Sequence, residues 1–432
     1  MLALLGFATI GAFIILVMTN RLAAVAALIL MPIVFGLIGG FGAGIGDMMV
    51  KGIVQTTPTA VMLVFALLYF LLMYEQGMFE PFINGILKLV GEDPVKIVIG
   101  TAVLVMIVGF DGDGATAVLI TVSSMYPIYR RVGINPLIIA LMLGLINPLM
   151  NWLPWGGPAA RAAISLKVDV NDIVGPMIPA LVISLLATLA FAYYLGLSER
   201  RRLAKLAGAS GPEMAELDLV PRVRKVIVPR NFWFNLILTI VMMGSLAAGV
   251  APLPAIIMAG FAIAVTVNLP NVKEQQERLK PHGATVMMLV TLVLAAGAFT
   301  GVLDQTGMVK AMADSLISVV PQSWGPYFGY ISAVLSMPLL IILSTDAFYF
   351  GVLPILGHTG AAHGVPPEVI ARAALIGMPM HSLSPLIAPI YFVASLLRTD
   401  IGALQRFAWP WTIALSFIAL AAAALTGAIH MP

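Results

Sequence analysis

Gly109-Phe110-Asp111-Gly112-Asp113-Gly114 decides how this chain is read. It sets two carboxylates between apolar runs at 97–108 and 115–122. Each run is too short to cross a bilayer, which takes about 20 apolar residues. Two short arms with a polar tip predict a re-entrant hairpin, because irregular backbone at that depth survives only inside protein or against a water-filled cavity. Leu343-Ser344-Thr345-Asp346-Ala347 repeats the device between runs at 327–342 and 348–356. Acidic side chains in hydrocarbon are costly, so both tips are candidate functional sites. Paired broken segments in corresponding positions of two halves point to the binding site of a secondary transporter.

Composition agrees. Of 432 residues 60% are hydrophobic and only 10% charged, with mean hydropathy +1.03. A soluble globular domain carries about 25% charged residues. The expected class is an all-α polytopic membrane protein, whose 40 glycines and 29 prolines suit broken, closely packed helices. The absence of cysteine excludes disulfides, thiolate metal sites and cysteine nucleophiles. Basic residues sit in loops, so the basic balance does not imply nucleic acid. Segment 2–18 follows Met1 without a basic flank and reads as a retained membrane helix rather than a signal peptide.

Spans are expected at 2–18, 23–41, 60–74, 136–163, 173–195, 232–248, 254–269, 284–303, 369–397 and 407–429, with hairpins at 97–129 and 327–356. The loop 198–230 holds Arg200, Arg201, Arg202, Lys205, Arg222, Arg224, Lys225 and Arg230, which predicts a cytoplasmic location. Counting outward from it also places Arg21, Lys88, Lys96, Arg130, Arg131, Lys273, Arg278, Lys280, Arg398 and Arg406 inside, and both termini outside. Lys51, Lys167 and Lys310 fall outside. The expected organisation is a first membrane repeat at 1–197, a cytoplasmic linker at 198–230 and a second, inverted repeat at 231–432. Each half has five spans, one re-entrant hairpin and one discontinuous helix. Glu75-Gln76-Gly77-Met78 before one hairpin and Asp304-Gln305-Thr306-Gly307-Met308 before the other support the repeat.

The span after each hairpin is interrupted. The first break runs Asn147-Pro148-Leu149-Met150-Asn151-Trp152-Leu153-Pro154-Trp155-Gly156-Gly157-Pro158. Its prolines and glycines cannot continue a helix, and Pro158 suits the first turn of a new one. The second runs Met378-Pro379-Met380-His381-Ser382-Leu383-Ser384-Pro385, where Ser384 then Pro385 is a helix-start signal. Half-helix starts at Gly114, Thr345, Pro158 and Pro385 can converge near the midplane. Their free N–H groups and dipoles suit an anion, carboxylates in particular.

Candidate substrate-binding residues are Gly112, Gly114, Asn147, Asn151, Gly156, Gly157, Arg161, Ser344, Thr345, Ser382 and Ser384. Asp111, Asp113 and Asp346 would repel an anion unless a cation accompanies it: a divalent metal of the Mg²⁺ or Ca²⁺ class, a proton or Na⁺. Hard divalent cations prefer oxygen ligands; the alternative is that an aspartate caps a hairpin arm. Arg161 suits bidentate carboxylate recognition, or pairs with a headgroup or an acidic neighbour. Arg372, nearer the outer face, is expected to snorkel. His381 either relays protons or packs. Trp152 and Trp155 either wall the site or pack. No HExxH pair and no P-loop occur, so neither metalloprotease chemistry nor direct ATP drive is expected.

The chain resembles the bacterial citrate–metal–proton symporters (the CitMHS family) of the ion transporter superfamily. The resemblance rests on Pro32-Ile33-Val34-Phe35, Gly46-Asp47-Met48-Met49, Pro58-Thr59-Ala60-Val61-Met62, Asp111-Gly112-Asp113-Gly114, Pro154-Trp155-Gly156-Gly157 with Arg161-Ala162-Ala163, and Gly175-Pro176-Met177-Ile178-Pro179. It implies secondary uptake of citrate or a related tricarboxylate as a complex with a divalent metal, coupled to protons. No cofactor is expected to be permanently bound. It implies a multi-pass protein of the bacterial inner membrane, and the superfamily implies a homodimer with an elevator-like movement, surrounded by lipid. Sodium/dicarboxylate carriers, distantly similar, have Ser-Asn-Thr at their hairpin tips. The tips here are Asp-Gly-Asp-Gly and Ser-Thr-Asp, which favours a metal or proton over sodium. The alternative is a metal-independent Na⁺- or H⁺-coupled di- or tricarboxylate carrier.

Overall fold

The computed structural model describes residues 1–19, 21–111, 114–207, 229–247, 250–317, 321–384 and 387–429. Among these the regular structure is helical, without a strand. The chain opens with α1 (Leu2–Met18), α2 (Ala24–Ile38) and the long α3 (Ile45–Glu75), then the amphipathic α4 (Glu80–Val90). The first hairpin has arms α5 (Pro94–Val108) and α6 (Gly114–Val132). The first broken helix is α7 (Leu137–Met150) and α8 (Gly157–Leu166), followed by α9 (Val170–Ala207).

The succession then recurs. α10 (Phe232–Ala247), α11 (Leu253–Asn268), the polar α12 (Val272–Leu279), the long α13 (Gly283–Gln305) and the short α14 (Met308–Ile317) precede the second hairpin. Its arms are α15 (Phe328–Ile342) and a π-helical turn, Ala347–Val352, running into α16 (Leu353–Ala362). The second broken helix is α17 (Pro367–Leu375), α18 (Met378–His381) and α19 (Ala388–Leu397), followed by α20 (Ile401–Leu425). Among the described residues five helices are long and apolar enough to cross a membrane, Ile45–Glu75, Val170–Leu206, Val272–Gln305, Ser323–Ile342 and Ile401–Leu425.

Backbone conformation repeats with the elements. Gly77 and Gly307 follow the long helices with φ of +69° and +76°. Gly133 and Gly364 follow the hairpins with φ of +82° and +79°. Lys167 and Arg398 end the second pieces of the broken helices with φ of +56° and +52°. These two are the only non-glycine residues at positive φ among the described residues.

The long helices α3 and α13 pack together through glycine. A Cβ on Gly52 would lie 2.0 Å from the Gly297 carbonyl oxygen, and one on Gly301 2.5 Å from that of Met48. Gly297 and Gly301 are four residues apart on one face, the spacing that lets membrane helices approach to backbone contact.

Several elements differ from the sequence expectation. α3 begins 15 residues before position 60, because Pro58 is accommodated inside the helix instead of ending it. α4, α12 and α14 were not expected; they are too short and polar to register as spans. α9 continues to Ala207, into the region expected to be linker. Its extension is held by Arg200 on Asp93 and by Arg202 on Glu199 and the Gly133 carbonyl. The hydrogen bond from Arg200 holds the Asp93 carboxyl below the usual carboxylate range. Arg372 does not snorkel. It is buried and donates to the carbonyls of Asp172 and Ala428, so it ties α17 to the start of α9 and to the segment after α20.

Candidate functional site

Both broken helices and both hairpins border one cavity of about 340 Å³. Gly114, Asn147, Asn151, Gly157, Arg161, Thr345, His381 and Ser382 line it, eight of the residues singled out in the sequence. Its remaining wall is largely apolar, with Leu141, Ile390, Val393, Leu404 and Ala408 from α7, α19 and α20. Of the expected helix starts, Gly114, Pro158 and Thr345 all border this cavity, the helix at Pro158 beginning one residue earlier, at Gly157. Pro385 lies outside the described residues, as do Gly112 and Asp113, and the side chain of Asp111.

The first break is shaped by close backbone approach. Gly156 is the N-cap of α8 and offers no side-chain cap, so the first N–H groups of that helix have no side-chain partner. A Cβ on Gly156 would lie 2.2 Å from the Asn151 carbonyl oxygen. Gly156 thus supports the cavity without lining it. Trp155 Nε1 donates to the Phe110 carbonyl at 2.8 Å, and Phe70, Phe110 and Trp155 pack edge-to-face and tilted behind the first hairpin tip. Trp152 Nε1 donates to the Leu375 carbonyl at 3.0 Å, joining the two broken helices. Both indoles hold the breaks in place.

Arg161 reaches across the halves. Its Nε donates to Asp346 Oδ1 at 2.7 Å, with side-chain exposures of 21% and 18%. Nη1 lies over Gly157, 2.6 Å from where a Cβ would sit. So Gly157 is the space that lets the guanidinium turn back over the start of its own helix. Nη1 and Nη2 have no protein acceptor among the described residues and remain available to the cavity. The acidic-neighbour reading of Arg161 is met by Asp346, through Nε alone.

The second half is held by side-chain hydrogen bonds. Ser384 Oγ donates to the Ile341 carbonyl at 2.7 Å. His381 Nδ1 faces the Leu340 carbonyl at 2.6 Å. A carbonyl can only accept, so Nδ1 carries the proton and Nε2 of neutral imidazole is an acceptor. Ser382 Oγ donates to the Pro379 carbonyl. Ser344 Oγ accepts from the Ala347 N–H at 3.2 Å and caps the hairpin turn, outside the cavity lining.

Of the buried side-chain polar atoms without a partner among the described residues, two bear on the site. Asn147 Oδ1 has no hydrogen-bond partner among the described residues, and its side chain sits between Gly109 and Gly114, the ends of the first hairpin turn. The Tyr349 hydroxyl, one turn beyond Asp346 on the π-helical segment, is likewise unpartnered. The sequence offered no signal for Tyr349, which reads there as one aromatic among several. Among the described residues no group of three histidine or acidic side chains is placed to hold a metal. The cavity offers a half-committed guanidinium, free helix N–H groups and an orphan amide oxygen. That set suits a ligand with several anionic oxygens and a group that can be accepted by oxygen.

The model of the CitMHS family, described as "Citrate transporter", matches residues 12–377. A "Citrate transporter" of Bacillus subtilis (strain 168) is 44% identical over 433 residues, 99% of this chain and 100% of that one. A "Mg(2+)/citrate complex secondary transporter" of the same organism is 43% identical over 437 residues, covering both chains fully. Among solved structures, the Neisseria gonorrhoeae MtrF transporter superposes with a TM-score of 0.58 at 12% identity, over 89% of this chain and 84% of that one. It shares the fold.

Proposed function

The chain belongs to the citrate transporter family, and we propose that it imports citrate as a complex with a divalent cation, in symport with protons. It is a multi-pass membrane transporter and not an enzyme. The observation that carries the metal reading is the Arg161–Asp346 pair at the cavity. Free citrate carries three carboxylates and would meet a guanidinium whose charge is already balanced. A metal complex presents less net charge and brings its own electrophile. The protein then needs to supply only part of the cation's oxygen shell, from Asp111 or Asp113 beside Gly114 in sequence and from Asn147 Oδ1. The name of the 43% identical relative supports the same cargo.

The remaining parts of the reading follow from the sequence. The two successions of elements are inverted repeats about a cytoplasmic linker, with both termini outside, because that topology puts nearly all basic loops inside. His381 handles the coupled proton through Nε2, which is free to accept at the cavity wall. Arg161 Nη1 and Nη2, with the N–H groups of α8, bind citrate carboxylate oxygens.

The test is uptake of labelled citrate into cells or vesicles with Mg²⁺, Ca²⁺ and other divalent ions, against excess chelator and with Na⁺ exchanged for choline. Uptake is expected to require a divalent cation and to ignore Na⁺. Full uptake in chelator would leave the metal-independent carrier as the working reading.

A further inference from the structure

Lys167 and Arg398 stand out in the backbone. Both end the second piece of a broken helix and both are left-handed, with φ of +56° and +52°. A side chain at positive φ costs roughly 1 kcal/mol or more, and glycine is the usual residue there. Their sequences match: Leu166-Lys167-Val168-Asp169-Val170 and Leu397-Arg398-Thr399-Asp400-Ile401. Each half thus keeps a cation where the backbone would accept glycine more cheaply. Interaction with the helix dipole does not account for this, since any position in the last turn would serve it.

The partners of the two cations differ. Lys167 Nζ is paired with Asp304, near the end of the long helix α13, and His358 Nε2 lies 3.7 Å from the same carboxylate. The pair borders a second cavity of about 270 Å³ between α8, α13 and α16, so there is room for it to open. Arg398 is exposed and has no ion pair among the described residues. Glu75 ends α3 as Asp304 nears the end of α13, and they stand two and three residues before the positive-φ glycines Gly77 and Gly307. Glu75 is engaged elsewhere, by His282 Nε2 at 3.0 Å and more loosely by Arg278 at 3.8 Å.

We infer that Lys167–Asp304 and Glu75–Arg398 are two alternating ion-pair clasps, one for each face, and that the structure has the first shut and the second open. When α8 leaves α13 during transport, α19 closes on α3, and Arg398 replaces the ring of His282 and the distant Arg278 on Glu75. The inference rests on the inverted-repeat part of the proposed function. It does not depend on which cargo is carried.

The chain has no cysteine, so engineered pairs report without background. Glu75→Cys with Arg398→Cys, and Lys167→Cys with Asp304→Cys, are placed separately in the full chain in membrane vesicles. Crosslinking is followed with a short bis-thiosulfonate, with and without citrate and Mg²⁺. Gly85→Cys with Arg398→Cys serves as a proximity control. Both designed pairs are expected to crosslink, each above the control. Adding Lys167→Gln to the Glu75/Arg398 cysteine pair is expected to speed its crosslinking about two- to fivefold, since exposed ion pairs are worth up to about that factor. Charge reversal supplies the second readout. Glu75→Arg and Arg398→Glu are each expected to slow uptake, and the double reversal to recover most of it, which a purely structural role for either residue would not produce. A Glu75/Arg398 pair that crosslinks no faster than the control, in protein whose Lys167/Asp304 pair does crosslink, overturns the proposal. That outcome leaves the cargo reading untouched, because chelator-sensitive uptake is measured on the unmodified chain.

Discussion

At the first break a single added methyl group on Gly156 would be driven to 2.2 Å from the Asn151 carbonyl oxygen. At the second, the chain is held by Ser384, His381 and Gln405, which donate to the carbonyls of Ile341, Leu340 and Leu383. The first half of the site is held mainly by close backbone approach, with Trp155 on the Phe110 carbonyl, and the second mainly by side-chain hydrogen bonds, with Gly377 close against Ser336. The charges divide in the same uneven way. The first half brings Arg161 and the second brings the carboxylate that balances it. Two halves with the same succession of elements have become different in how they resist change. Close backbone contact has no soft direction to yield in, whereas each hydrogen bond is a separable contribution of about 1 kcal/mol.

The largest expected effect follows from the first half. Gly156→Ala forces backbone apart at a contact with no room, at a cost of about 3 kcal/mol or more. Uptake is expected to be lost and the unfolding temperature in detergent to fall by several degrees. Gly175→Ala is the control in the same half, since nothing lies within 4 Å of its added Cβ. Equal behaviour of the two variants would remove the close-contact account of the first break.

Next in size is Asp346→Ala. It strands the Arg161 charge in a site where both side chains are about four-fifths buried, and such losses cost about 3 kcal/mol. Removing both charges, with Arg161→Gln and Asp346→Asn together, is expected to restore most of the unfolding temperature. Uptake is expected to stay low in the double variant, because the Nη donors are gone. A double variant as unstable as Asp346→Ala alone would mean that the pair is not the main local constraint.

Much of this site was legible in the sequence and some of it was not. The breaks were legible because turn and helix-start chemistry acts locally: helices begin at Gly114 and Thr345, and within one residue of Pro158. The Arg161–Asp346 bond was not, since its partners are 185 residues apart and either charge has a plausible local role. The Lys167–Asp304 pair was hidden for the same reason, although the repeated Leu-basic-x-Asp pattern was there to be read. α4, α12 and α14 escaped because hydropathy finds spans and these helices are short and polar-faced. The extent of α3 escaped because a membrane helix tolerates an internal proline that a sequence rule treats as an end.

Within the second half, Ser384→Ala removes a bond from a fully buried side chain and leaves the Ile341 carbonyl short of a donor. The cost is about 1–2 kcal/mol. A five- to thirtyfold fall in affinity for the citrate complex is expected, with normal insertion into the membrane. A change below twofold would show that the second break is held by packing, and would erase the contrast with Gly156.

Ser344→Ala is expected to have the smallest effect and to sharpen the comparison most. Its bond to the Ala347 N–H is long, at 3.2 Å, and serves as a cap at the start of a half-helix. A cap of this kind is worth about 0.5–1 kcal/mol, so the half-saturating concentration of the complex should rise no more than about fivefold. Ser344 and Thr345 are neighbours, yet only Thr345 lines the cavity. If Ser344 is only a cap, Ser344→Asp, which can also cap, should transport better than Ser344→Ala when measured at saturating complex. If Ser344 instead touches the cargo, the added negative charge will be the worse of the two by a wide margin. That ordering decides whether the second hairpin tip meets substrate through one hydroxyl or two, measured as initial uptake rates for the two variants side by side.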